Sequence, residues 1–145
     1  MKYKNEVKLQ FPSHSENEAF SRAAVAAFAV QLDPTVEELT EIKTAISEAV
    51  SNAIIHAYDE AEDGLVTVEV KYTEDRRLIM IVSDDGVGIG DIEKAKEPLY
   101  TSKGGEERSG MGFTVMESFT DRLEITSKPG EGTKVTMMKQ LDSLL

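Results

Sequence analysis

Glu48-Ala49-Val50-Ser51-Asn52-Ala53-Ile54-Ile55-His56-Ala57-Tyr58 closes the most strongly patterned segment of this chain. Thr35-Val36-Glu37-Glu38 opens it as a capping box, in which a Thr and a Glu three residues apart each bond the other's backbone. Between them, Ile42, Ala45, Ile46, Ala49, Val50, Ala53, Ile54 and Ala57 recur at spacings of three and four. This is one apolar stripe on a helix, and it must face a core. Glu48 and Asn52 lie just off that stripe, four apart and so adjacent on the helix surface. His56 continues the row, where packing or a local hydrogen bond accounts for it better than a ligand role.

Working outward, Val66, Val68, Val70 and Tyr72 alternate with Thr67, Glu69 and Lys71, which predicts a strand with one buried face. Glu74-Asp75-Arg76-Arg77 reads as a hairpin turn. Leu78-Ile79-Met80-Ile81-Val82 is apolar throughout and predicts a central strand covered on both faces. Upstream, a strand within residues 3–11 stops at Pro12. Ser15-Glu16-Asn17-Glu18 suggests a second capping box, opening a helix with Phe20, Ala24, Phe28 and Leu32 on one side and ending at Asp33-Pro34. Downstream, residues 91–97 predict a short helix, and Pro98 to Gly112 is an aperiodic stretch. Phe113 to Phe119 predicts a helix. Leu123-Glu124-Ile125 and Lys134-Val135-Thr136-Met137 form a closing hairpin. The expected fold is α+β: a two-layer sandwich with a mixed, mostly antiparallel sheet covered on one face by helices.

Composition narrows the function. At 145 residues the chain is expected to be one domain, spanning 1–145. Hydrophobic content of 40% and charged content of 30% describe a soluble globular protein. A formal net charge of −11 argues against direct nucleic-acid binding, which draws its affinity from a basic face. No cysteine is present, so disulfides, thiolate catalysis and Cys-based zinc sites are excluded. His14 and His56 are far apart, which makes a histidine metal site unpromising. No segment approaches the roughly 18 apolar residues of a membrane span, and the N-terminus lacks a signal peptide's apolar core. The expected location is the cytoplasm.

Three features carry chemistry. Asp84-Asp85-Gly86-Val87-Gly88 follows the buried strand, and an ionised Asp84 is an acceptor suited to a ligand's amino group such as that of adenine. Gly110-Met111-Gly112 opens a helix, whose free N–H groups bind phosphate. Lys103 and Arg108 lie in the same loop. Glu48 could serve as a base toward a hydroxyl, and Asn52 could offer an oxygen to Mg²⁺, which keeps several waters and takes few protein ligands. Singly, each has a plainer reading: a tight turn with surface acids, a flexible loop with solvated cations, two polar residues beside an apolar stripe. Together they describe three parts of one nucleotide pocket.

These motifs resemble those of the Bergerat-fold (GHKL) ATPases, the family of gyrase, heat-shock protein 90, sensor histidine kinases and the MutL mismatch-repair proteins. Glu48…Asn52 is similar to the family's N box and Asp84-Asp85-Gly86-Val87-Gly88 to its D-x-G-x-G box. Ser109-Gly110-Met111-Gly112-Phe113 is similar to its second glycine box, and Gly132-Thr133 to its closing G-T. Within the family the chain resembles the bacterial anti-sigma factor serine kinases, of the sporulation type.

The resemblance implies that Asn52 holds Mg²⁺ against the phosphates of ATP and that Glu48 activates the acceptor. Asp84 would bind the adenine amino group, with Gly86, Gly88 and Thr133 nearby. Residues 98–109, with Thr101, Ser102 and Lys103, would form a nucleotide lid from which Arg108 reaches the terminal phosphate. Gly110, Met111, Gly112 and Phe113 would line the phosphates. It further implies a homodimer that sequesters a sigma factor of RNA polymerase and phosphorylates a serine of a small anti-anti-sigma protein, with Arg22 touching a partner. One departure is Asp85, where many relatives carry Asn; a second acid then stands near the base site. A general-stress anti-sigma kinase and a nucleotide-gated binding module without catalysis are the alternatives. A catalytic fragment of a histidine kinase is disfavoured, since the chain starts at Met1 and has a complete first strand.

Overall fold

Alternating strands supply the framework. In the computed structural model, which describes residues 2–58, 62–90 and 112–142, five strands form one sheet. They are β1 (Asn5–Pro12), β2 (Leu65–Tyr72), β3 (Arg77–Asp84), β4 (Arg122–Lys128) and β5 (Gly132–Gln140), in the spatial order β1-β2-β3-β5-β4. All four ladders are antiparallel. The fold is therefore the expected α+β sandwich, and no parallel pair occurs among the described residues. The short helix expected at 91–97 and the lid expected at 98–109 lie outside the described residues.

Register carries the core across the sheet. Val68 stands opposite Leu9 and Val82, and Val82 opposite Val135. Val66, Val68, Val70, Leu78, Met80 and Met137 are fully buried against three helices. These are α1 (Glu16–Ala29), α2 (Val36–Asn52) and α3 (Gly112–Phe119). From α2, Ile42, Ala45, Ile46, Ala49 and Val50 enter the same core, as their spacing predicts. Each fully buried Ile contributes about 2 kcal/mol by area removed from water.

One sequence expectation needs correction. It concerns α1, whose buried residues are Ser21, Val25, Phe28 and Ala29. Phe28 and Leu32 are buried as expected, but Phe20 is 56% exposed and Ser21 and Val25 take the inward positions of the first turns. Nor does Ser15 cap this helix through its side chain: its backbone is helical (φ −59°, ψ −31°) and its hydroxyl lies 3.1 Å from Glu16 Oε1. Glu18, the would-be partner, is held instead by Arg22 at 2.9 Å. β3 is as expected, central and buried on both faces: Ile79 and Ile81, which alternate with Leu78, Met80 and Val82, are buried too, although they stand apart from the core cluster. They stand opposite Lys71, Met138, Glu69 and Thr136 in the two ladders.

The Thr35 capping box does form. Glu38 N–H donates to Thr35 Oγ1 (3.0 Å) and Thr35 N–H to Glu38 Oε1 (2.9 Å). Glu38 Oε2 also accepts from Asp142 N–H (2.8 Å), tying the end of the chain to the start of α2. Burial alone would raise this carboxyl, but the donations from Asp142 and Thr35 outweigh it and hold it below its ordinary value. Its contribution to stability is therefore present at neutral pH and is lost as pH falls through the acidic range. Thr35→Ala is expected to lower stability by about 1 kcal/mol in urea unfolding. An unchanged midpoint would show that the box adds nothing.

Candidate functional site

The helix bearing Glu48 and Asn52 does not end as an α-helix. After Asn52 the chain runs through a π-turn, Ala53–Ala57, a distortion that recurs at functional sites. Ala57 C=O is thereby available to the loop that follows β3, and accepts the N–H of Val87 at 3.0 Å.

One half of the site lies along α2. Glu48 and Asn52 are half-buried, and the first residue of α3 sits directly over them. A Cβ on Gly112 would lie 3.2 Å from Glu48 Oε2 and 3.3 Å from both Asn52 Oδ1 and Nδ2. The start of α3, whose first-turn N–H groups have no partner within the helix, is thus brought to an acid and an amide. Phe113, the next residue, packs on the core. Asn52 suits Mg²⁺ as a single neutral oxygen donor. Among the described residues no cluster of three His, Asp or Glu could hold a metal unaided, so a metal here would draw its other oxygens from phosphates and water.

The other half is the end of β3. Asp84 Oδ1 accepts from Gly86 N–H (3.0 Å) and from Thr133 N–H (3.2 Å) on β5. Oδ2 has no partner among the described residues and remains available to a ligand donor. Burial raises the Asp84 carboxyl above its ordinary value; the two backbone donations oppose this, and neighbouring Asp85 adds to it. Asp85 itself is exposed, which leaves the base side with one inward-facing carboxylate. The glycines here serve the protein's own packing. A Cβ on Gly86 would lie 2.3 Å from Ala57 O, and Gly88, at φ +78°, would place one 2.0 Å from Lys128 O. The loop can lie this close to the π-turn and to the end of β4 only without side chains.

Three supporting residues escape the sequence reading. Tyr58 donates its hydroxyl to Leu65 O and accepts the N–H of Asp85, both at 2.6 Å. Ser127 donates to Gly132 O (2.9 Å), accepts from Ile89 N–H (2.7 Å) and lies 2.9 Å from Thr133 Oγ1. Ala57 contributes only its carbonyl. Tyr58 follows directly on the N-box row, yet no spacing rule marks it; Ser127 carries no signal at all.

The structure therefore groups Glu48 with Asn52 and Gly112, and Asp84 with Gly86 and Thr133, while Phe113 packs on the core and Gly88 lies against Lys128; Ala57, at the end of the π-turn, bonds the loop after Asp84. Thr101, Ser102, Lys103, Arg108, Gly110 and Met111 lie outside the described residues, as does the His56 side chain. Arg22 is placed on α1, where it bonds Glu18 (2.9 Å) and Ser47 of α2 (3.3 Å).

An acid–amide pair thus lies under a helix start, and an acid precedes glycines at a strand end, on a helix-covered antiparallel sheet. Residues 11–139 match the histidine kinase-like ATPase domain, and the chain belongs to that family. Its relatives include the Anti-sigma F factor of Clostridium beijerinckii, 56% identical over 138 residues, covering 95% of this chain and 96% of that protein. The Anti-sigma F factor of Pasteuria penetrans is 54% identical over 143 residues, covering 97% and 93%. Among solved structures, the RsbU and RsbW domains of a Mycobacterium tuberculosis protein superpose with a TM-score of 0.69 at 17% identity. That superposition covers 97% of this chain and 34% of the mycobacterial one, and it shows shared fold alone. A histidine kinase domain from Erythrobacter litoralis gives a TM-score of 0.59 at 19% identity, covering 86% and 61%.

Proposed function

We propose that this protein is an anti-sigma factor and a protein serine kinase in one ATP-binding domain spanning residues 1–145. In this reading it sequesters a sporulation sigma factor, keeping it from RNA polymerase. It also phosphorylates a serine of a small anti-anti-sigma antagonist. The observation that carries the reading is similarity over nearly the whole length of proteins named Anti-sigma F factor. The site supports its chemistry. Adenine is read by Asp84 Oδ2, and the phosphates lie toward Asn52 and the start of α3. Mg²⁺ neutralises phosphate charge when bound, with Asn52 as its protein ligand.

Glu48 takes the proton of the substrate serine as its oxygen bonds to the γ-phosphorus. The β–γ bridging P–O bond breaks and ADP leaves. Arg108, from a lid at 98–109, balances the terminal phosphate, with Thr101, Ser102 and Lys103 beside it. Phosphoryl transfer asks mainly for positioning and charge compensation, so a short catalytic roster suffices. The working unit is a homodimer in the cytoplasm, and Arg22 contributes to partner contact. Among the described residues no helix is long and apolar enough to cross a membrane.

Two measurements test the nucleotide and sigma halves. Asn52→Ala is expected to weaken Mg-ATP binding by roughly tenfold or more, about the loss of one charge-assisted contact; equal affinity in a nucleotide titration would remove Asn52 from the site. Purified protein mixed with the sporulation sigma factor should retain it on a sizing column with Mg-ATP present. Separate elution at micromolar concentrations would contradict the anti-sigma role.

A further inference from the structure

We propose that Tyr58 is a positioning residue for base recognition: its hydroxyl fixes the peptide unit that follows Asp84 and so aims the Asp84 carboxylate. The inference rests on the reading of Asp84 as the adenine-binding acid. Three consecutive amides after β3 are each held. Asp85 N–H donates to the Tyr58 hydroxyl (2.6 Å), Gly86 N–H to Asp84 Oδ1 (3.0 Å) and Val87 N–H to Ala57 O (3.0 Å). The Asp85 N–H belongs to the peptide plane joined directly to the Asp84 Cα. A bond to it therefore restrains the rotation that would swing the Asp84 backbone and, with it, the carboxylate.

The tyrosine is itself held at both ends. Its hydroxyl donates to Leu65 O at the start of β2 (2.6 Å), and its ring lies against Gly64, where a Cβ would come within 2.5 Å of the ring carbons. Burial raises the phenol above its ordinary value, so it stays protonated and remains a donor at neutral pH. Tyr58 also follows the π-turn of the Glu48–Asn52 helix. The base-side loop thus bonds Ala57 and Tyr58 just after the phosphate-side helix, and of these two bonds only the one to Tyr58 is made by a side chain.

The test compares ADP with IDP, which lacks the exocyclic amino group, in the wild-type protein, Tyr58→Phe and Tyr72→Phe. Tyr72 is a control for hydroxyl loss elsewhere: its OH lies 2.9 Å from Gln31 Oε1 and 3.4 Å from Asn5 Nδ2, with no bond to the Asp84 loop. The wild type should prefer ADP. Tyr58→Phe should bind ADP about tenfold more weakly and lose most of the preference, since an unaimed carboxylate forfeits about one hydrogen bond. Tyr72→Phe should keep the preference whatever its unfolding temperature.

Full ADP preference in Tyr58→Phe overturns the role of Tyr58 and leaves the Asp84 reading intact. A wild type that binds ADP and IDP equally overturns both. A companion measurement needs no variant: the exposed Asp85 amide should exchange slowly with solvent deuterium in the wild-type protein. Exchange at the rate of an unstructured peptide would show that the Tyr58 bond does not hold, and would overturn the proposal.

Discussion

Glu48→Gln is expected to reduce phosphoryl transfer by a factor of about 10² to 10⁴ while ATP still binds. Gln keeps the shape and the hydrogen-bonding reach of Glu but cannot accept the serine proton. Glu48 stands on α2 one turn before Asn52, with Oε2 3.2 Å from where a Cβ on Gly112 would lie, so the substitution disturbs neither the helix nor the α2–α3 contact sterically. Single-turnover transfer together with a nucleotide titration separates the two effects. Transfer at the wild-type rate would remove Glu48 from the mechanism. Loss of both transfer and binding would recast it as a binding residue.

Asp84→Asn is expected to weaken adenine nucleotide binding by about a hundredfold, the order of 2 to 3 kcal/mol. The asymmetry of its partners makes this variant informative. Two N–H groups, from Gly86 and Thr133, converge on Oδ1, so an Asn must turn its oxygen toward them. Its NH₂ then occupies the ligand-facing position of Oδ2. An acceptor for the adenine amino group becomes a donor opposing it, while the loop keeps its internal bonds. Calorimetric titration with ADP and urea unfolding check both parts. Unchanged affinity would place the base elsewhere, and a large fall in stability would assign Asp84 to the fold.

Much of this arrangement is legible in the sequence where periodicity and burial coincide. The α2 stripe and the β2 alternation map residue for residue onto the core, because each has one buried face and one polar face. The α1 face does not. Its Ala23, Ala24, Ala26 and Ala27 give nearly equal hydrophobicity around the helix, so Phe20 misleads while Phe28 is buried as expected. The uniform run of β3 announces burial but not its source.

The candidate site divides along the same line. Asp84, Asn52 and Glu48 stand out as polar residues where packing alone would not put them. Tyr58 and Ser127 escape notice because they serve backbone groups 27 and 38 residues away, at Asp85 and Ile89, and such pairings exist only once the sheet has closed. The glycines of the Asp84 loop are conspicuous in the sequence, but the reason for two of them is the nearness of Ala57 and Lys128, which no local pattern encodes.

The central claim is that one chain both captures a sigma factor and spends ATP on a partner serine. The most direct test is transfer of labelled γ-phosphate from Mg-ATP to the small anti-anti-sigma protein, with the modified residue located by mass spectrometry. Label on a single serine of that protein, at a rate that rises with the concentration of the ATP-binding protein, is the predicted result. No label on the partner, with ATP binding and sigma capture both intact, would contradict the kinase and leave a binding module gated by nucleotide.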